Sequence, residues 1–212
     1  MTSPSAAARP RIVIIGCGFG GLEAARALRG AAVDVTLVDK TNHHLFQPLL
    51  YQVATAGLSA PAIAAPIRHL FRQQGNVRTL LGHVTGIDAG ARTVVLEDGT
   101  VLPWDHLIVA AGATHSYFGR DDWARFAPGL KTLDDAFEIR RRILLAFEAA
   151  ENEPDAAQRD AWLTFVVVGE HDGIAPPAIM ERRVATLRQA GTPVEYHKYQ
   201  GLGHGFGVGT GT

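Results

Sequence analysis

With 212 residues, 47% of them hydrophobic and 19% charged, the chain has the make-up of a water-soluble α/β protein, long enough for one large domain or two small ones. Its 20 basic residues face 21 acidic ones, for a net charge of −1, and form no long block, which argues against a nucleic-acid partner. Cys17 is the only cysteine, which excludes an internal disulfide and a Cys-x-x-Cys redox pair, and no apolar run is long enough to span a bilayer.

Residues 1–10 are small and polar and are expected to form a disordered tail; they lack the apolar core of a signal peptide. Ile12 to Ile15 is short, apolar and rich in β-branched residues, the pattern of a strand buried on both faces. It runs into Gly16-Cys17-Gly18-Phe19-Gly20-Gly21, and Leu22 to Leu28 then reads as a helix. This is G-x-G-x-x-G at a strand-to-helix turn: Gly16 for the tight turn, Gly18 for backbone approach to a pyrophosphate, Gly21 for close packing of helix on strand. A second apolar strand, Val33 to Val38, ends in Asp39, roughly 20 positions after the last glycine, where a carboxylate accepts from a ribose 2′-hydroxyl. These residues point to a bound dinucleotide and leave open whether it is NAD or FAD. Asp39 disfavours a 2′-phosphate by charge repulsion, an effect softened by Lys40.

Thr41 to Ser59 begins with turn formers, contains Pro48, and then becomes apolar. His43 and His44 are adjacent, so their side chains do not converge on one metal, and a structural or cofactor-edge role is expected. Ile63, Ile67, Leu70 and Phe71 fall at helical spacing and predict a core-facing helix ending near Gly75, bent at Pro66. Val77 to Leu81 reads as a strand. His83 to Asp88, Arg92 to Leu96 and Thr100 to Pro103, with a turn at Glu97-Asp98-Gly99, read as a small antiparallel meander. Leu107 to Ala110 is another buried strand, closed by Ala111-Gly112-Ala113, where bare backbone again nears a ligand.

From Thr132 the chain is helical, with Thr132 as N-cap and Asp135 completing a capping box. Phe137, Ile143, Leu144 and Phe147 are expected to form its buried face, and Glu138 and Arg140 to Arg142 its solvated one. Glu151 to Arg159 reads as a polar linker and Trp162 to Val168 as a further buried strand.

Four segments, R-I-V-I-I-G-C-G-F-G-G-L-E-A-A-R-A-L, V-T-L-V-D-K, N-H-H-L-F-Q-P-L-L-Y-Q-V-A-T-A-G-L-S and W-D-H-L-I-V-A-A-G-A, occur in that order within Arg11 to Gly169. Together they resemble the type II NADH dehydrogenases, single-subunit flavoenzymes that pass electrons from NADH to quinone. The resemblance implies FAD as cofactor and NADH as a possible substrate. It places Gly16, Gly18 and Gly21, with Phe19 and Gly20 between them, on the FAD pyrophosphate, and Asp39 with Lys40 beside the adenosine ribose. It also places Gln47 and Pro48 near the flavin, the Val84 backbone against adenine, and Ala111 and Gly112 over the FAD. The family's second glycine fingerprint does not follow Val168-Gly169, and its late Gly-Asp segment and amphipathic membrane helices have no counterpart here. The expectation is a truncated, catalytically impaired, cytoplasmic form without membrane attachment.

After Gly169, F-V-V-V-G-E-H-D-G-I-A-P-P, a helix over Ala178 to Ala190, a strand over Pro193 to Tyr199 and G-L-G-H-G-F-G resemble the last third of an esterase-type α/β-hydrolase. That resemblance implies Asp172 as triad acid and His204 as base, in the expected chain order. No G-x-S-x-G supplies a nucleophile. The nearest stretch, Gly57-Leu58-Ser59-Ala60-Pro61, lacks the final glycine, so the pair is expected to be inert.

The expected architecture is α/β: a Rossmann-like FAD-binding parallel sheet with a small antiparallel meander over 11–160, a hydrolase-like βαβ segment over 161–200, and a flexible glycine-rich tail over 201–212. The rival readings are an esterase remnant and a nucleotide-binding module without turnover.

Overall fold

A computed structural model describes residues 8–114, 116–117, 119, 121–125, 127–165 and 185. The chain divides into two compact units, one of Met1–Gln47 with Ser59–Thr114, the other of Pro48–Leu58 with His115–Thr212.

The first unit is built on a four-stranded parallel sheet. Its strands are β1 (Arg11–Ile15), β2 (Asp34–Asp39), β5 (Val77–Leu81) and β9 (His106–Val109), in the order β5-β2-β1-β9. β1 is central because both its faces are apolar. Ile12 and Ile14 pack with Val35 and Leu37 against α1 (Phe19–Ala27) and α3 (Ile67–Leu70), while Val13 and Ile15 pack on the opposite face with Val38, Val94 and Leu96. Successive side chains of a strand point to opposite faces, so the unbroken run Ile-Val-Ile-Ile feeds two cores at once. The meander covers the second face: β6 (Val84–Asp88), β7 (Thr93–Leu96) and β8 (Val101–Pro103) pair antiparallel in sequence order, as expected.

The predicted bent helix around Pro66 is instead strand, then helix. β3 (His43–Leu45) pairs antiparallel with β4 (Ala64–Pro66), and α3 begins only at Ile67. Proline lacks the donor a helix interior needs, so Pro66 ends the ribbon and caps the short helix rather than bending a long one. Ile63, Ile67 and Phe71 are nonetheless buried, so the apolar stripe does face the core.

An ion pair ties the amino ends of β1 and its edge neighbour β9. Asp105, at the entry to β9, accepts from the Arg11 backbone N–H at 2.7 Å and from its guanidinium at 3.0 and 3.2 Å. These bonds hold the Asp105 carboxyl down to about 2 from an ordinary 3.8. A depressed carboxyl contributes stability that is full above its unfolded value and is lost as pH falls through the folded one. Asp105→Asn should therefore melt below wild type at neutral pH, with the gap closing between pH 3.8 and about 2. A gap that persists at the acid end would exclude the ion pair as its cause.

In the second unit, α2 (Leu50–Ala54) packs on α4 (Leu133–Glu151), which carries the expected capping box: Asp135 N–H donates to Thr132 Oγ1 at 3.1 Å and Thr132 N–H to Asp135 Oδ2 at 2.9 Å. The face that α4 buries is not the predicted one. Ala136, Ala146 and Ala150 are buried, whereas Phe137, Leu144 and Phe147 are each about half exposed and Ile143 is only partly covered. Small alanines let another backbone come close, and among the described residues both α2 and the helix that follows pack against α4.

The linker read over Glu151 to Arg159 is the end of α4 followed by α5 (Ala156–Trp162). Asp155 starts α5 by accepting from Gln158 N–H at 3.0 Å. The strand expected from Trp162 is corrected accordingly, since Trp162 closes this helix. The remainder of the hydrolase-like segment, with Asp172, His204 and the glycine-rich tail, lies outside the described residues.

Candidate functional site

The glycine loop lies at the carboxyl edge of the parallel sheet, where β1 passes into α1. Two of its glycines are fixed by packing. Gly16 has φ of +94°, and a Cβ there would lie 2.3 Å from the Ala110 carbonyl oxygen; a Cβ on Gly21 would lie 1.8 Å from the Gly16 oxygen. Gly18 differs: nothing lies within 4 Å of a Cβ built on it, and Gly18, Phe19 and Gly20 are exposed. The space above the loop is open, as close approach of a diphosphate requires. The first turn of α1 carries no acidic residue and no side-chain cap, so its amides keep their positive potential toward that space.

Asp39 turns toward this loop. Its Oδ2 accepts from the Cys17 N–H at 2.5 Å, and its Oδ1 accepts from the Thr41 N–H at 2.7 Å and the Thr41 hydroxyl at 2.8 Å. Three of about four acceptor directions on a carboxylate are thus used, all for holding chain, and one on Oδ2 remains. Asp39 is therefore first a brace between β2 and the loop. The pattern Asp-x-Thr was a readable hint of this turn, because Asp side chains bond backbone two residues on. The bond to Cys17 leaves no such local trace.

Cys17 is almost fully buried, and its carbonyl accepts from His44 Nδ1 at 2.8 Å. Burial first, and then the Asp39 carboxylate, push the thiol up to about 12. A thiol so raised is hardly ionised at pH 8 and inert to alkylation. Iodoacetamide should label Cys17 in denaturant and leave it untouched in the native protein at pH 8; equal rates in both would contradict its burial. Among the described residues no cluster of His, Cys, Asp and Glu is poised to hold a metal ion.

Of the other predicted site residues, Lys40 is exposed, and Ala111 and Gly112 are exposed after β9, with Gly112 at φ of +72°. Val84 opens β6, its side chain packed on the core beside the meander. Gln47 is half-buried at the end of a first-unit segment, and Pro48, exposed, begins the second unit.

A cleft of about 400 Å³ lies at the opposite, amino edge of the sheet, lined by Arg9, Arg29, Gln74 and Asn76 among others. Its amide nitrogens are committed to structure: Gln74 Nε2 donates to the Ala25 carbonyl and Asn76 Nδ2 to that of Leu28, closing the carboxyl end of α1. It lies at the other end of the strands from the Gly16–Gly21 loop.

A family model described as pyridine nucleotide-disulphide oxidoreductase matches residues 10–169. The Mycobacterium tuberculosis type II NADH:quinone oxidoreductases NdhA and Ndh are 61% and 56% identical to this chain over 164 residues, 76% of the chain and 35% of each relative. The chain thus spans about a third of the length of these relatives. The structure resembles that of NDH2 from Plasmodium falciparum in complex with NADH, with a TM-score of 0.63 at 24% identity over 72% of this chain and 32% of the other. A sulfide:quinone oxidoreductase from Aquifex aeolicus matches with a TM-score of 0.63 at 22% identity, over 86% of this chain and 41% of the other. At such identities the two structures speak to the fold, and among the described residues no helix is long and apolar enough to cross a membrane. The strand, bare loop, helix and bracing acid agree with the match along most of the sequence, and the chain belongs to the pyridine nucleotide-disulphide oxidoreductase family.

Proposed function

We propose that the first unit binds FAD by its ADP half, and that the chain serves the flavin-dependent transfer of electrons from NADH to a quinone, as its relatives are named for. The observation that carries this reading is the pairing of an open glycine loop with a carboxylate braced against it. The residues fit the group: Gly18 leaves room for phosphate oxygens, the first amides of α1 donate to them, and Asp39 Oδ2 keeps one acceptor direction for a ribose hydroxyl. By the same reading the Val84 backbone meets adenine, Lys40 flanks the ribose, Ala111 and Gly112 close over the cofactor, and Gln47 and Pro48 approach the flavin. Bound FAD supplies hydride acceptance from NADH and onward electron transfer. The protein's part is to grip, orient and shield it.

Flavin spectroscopy tests this. Purified protein given FAD should retain the visible flavin band through gel filtration, and bleaching by NADH added without oxygen would show that hydride transfer accompanies binding. A colourless protein after FAD addition overturns the reading; a retained band that NADH does not bleach leaves binding without turnover.

A further inference from the structure

Resting on the FAD reading, we propose that His44 is a positioning residue that fixes the orientation of the Gly18 amide toward the diphosphate. Two consecutive peptides of the loop need holding. The Gly16–Cys17 peptide is held through its N–H by Asp39 Oδ2, and the Cys17–Gly18 peptide through its C=O by His44 Nδ1, the latter buried and 2.8 Å long. A carbonyl oxygen only accepts, so Nδ1 carries the proton. A trans peptide is planar with C=O and N–H pointing opposite ways, so a carbonyl drawn inward to His44 turns the Gly18 N–H away from it.

The need for such a clamp comes from Gly18 itself. Flipping a peptide turns ψ of the residue before it and φ of the residue after it. For Gly18 the flip carries φ from −67° into the positive half of the map, which glycine alone enters freely. The absence of a Cβ that lets a diphosphate approach also lets the peptide flip. His44 opposes this from a rigid base: it lies in the centre of β3, opposite Ala65 of β4, is 8% exposed, and meets the Phe19 ring edge-on at 5.4 Å.

The test compares three variants by FAD titration and by the Gly18 N–H residual dipolar coupling of unliganded, ¹⁵N-labelled protein. His44→Phe keeps a ring against Phe19 and removes the donor; FAD should bind about tenfold more weakly, the effect of one lost buried hydrogen bond, and the Gly18 coupling should average. His44→Asn keeps a donor near the place of Nδ1 and should return affinity to within about threefold of wild type, with the native coupling. His44→Gln moves the donor one bond outward and should behave like His44→Phe, so the contrast survives if the phenylalanine variant does not fold. Wild-type affinity and coupling in His44→Phe, or an asparagine variant as impaired as the other two, would overturn the proposal. A wild-type protein that takes up no FAD defeats the cofactor reading, while the coupling still decides what His44 does.

Discussion

A methyl group on Gly21 will abolish folding of the first unit, whereas one on Gly18 will leave folding intact and weaken dinucleotide binding. The Gly21 methyl would lie 1.8 Å from the Gly16 carbonyl oxygen and 2.9 Å from its carbon, both backbone atoms that cannot swing aside. Relief means lifting α1 off β1, and with it Leu22 and Ala25 from the core shared with Ile12 and Ile14. Losses above about 4 kcal/mol are exceptional for one substitution, but they are the scale here, against a total stability of about 5–15 kcal/mol. Gly16→Ala meets the Ala110 carbonyl at 2.3 Å with φ of +94° and should fail likewise. Gly18→Ala meets nothing, and φ of −67° with ψ of −164° is open to alanine, so the unliganded protein should melt within about 0.5 kcal/mol of wild type. The methyl then occupies the approach to the diphosphate and should cost about tenfold or more in FAD affinity. Urea melts and FAD titrations on the three variants check this; a Gly21→Ala protein as stable as wild type would show that the helix does not pack as described.

Asp39→Ala should damage stability and binding together, which Gly18→Ala does not. The carboxylate is the acceptor for three donors, and one of them, the Cys17 N–H, belongs to a residue 1% exposed. The two Thr41 donors are only partly buried and can turn to water, so the loss is set by the Cys17 bond, at about 1.5–3 kcal/mol for a hydrogen bond to a charged group. Asparagine keeps one oxygen but turns an NH₂ group on another donor, so Asp39→Asn should fall between wild type and alanine in stability. In FAD affinity it should fall close to alanine, having lost the charge that draws a ribose hydroxyl. Thermal melts of the unliganded proteins separate the two effects; an Asp39→Ala melt equal to wild type would remove the brace.

The opening strand, loop, helix, second strand and acid were legible because each carries a local signal: β-branched apolar runs, glycines where a Cβ cannot fit, and a carboxylate at a strand end. The meander was legible from its turn residues. What sequence periodicity misread is instructive. Ile63, Ile67 and Phe71 are spaced for a helix and are all buried, yet Ile63 precedes the strand that Pro66 ends, and only Ile67 lies in the short helix that Phe71 follows, because burial alone does not name the element. On α4 the large apolar residues suggested the buried face, while the residues actually buried are alanines. The two bonds that fix the loop, Asp39 to Cys17 and His44 to Cys17, join residues 22 and 27 positions apart and have no periodic signature. The amides of Gln74 and Asn76 that finish α1 likewise act from 49 and 48 positions away.

The most direct measurement is isothermal titration of the flavin-free chain with FAD, ADP and FMN. If the glycine loop and Asp39 carry the binding, FAD binds, ADP binds the same site and displaces it, and FMN, which lacks the adenosine half, does not bind. FMN binding as tightly as FAD, with ADP unable to compete, would contradict a diphosphate site on the loop.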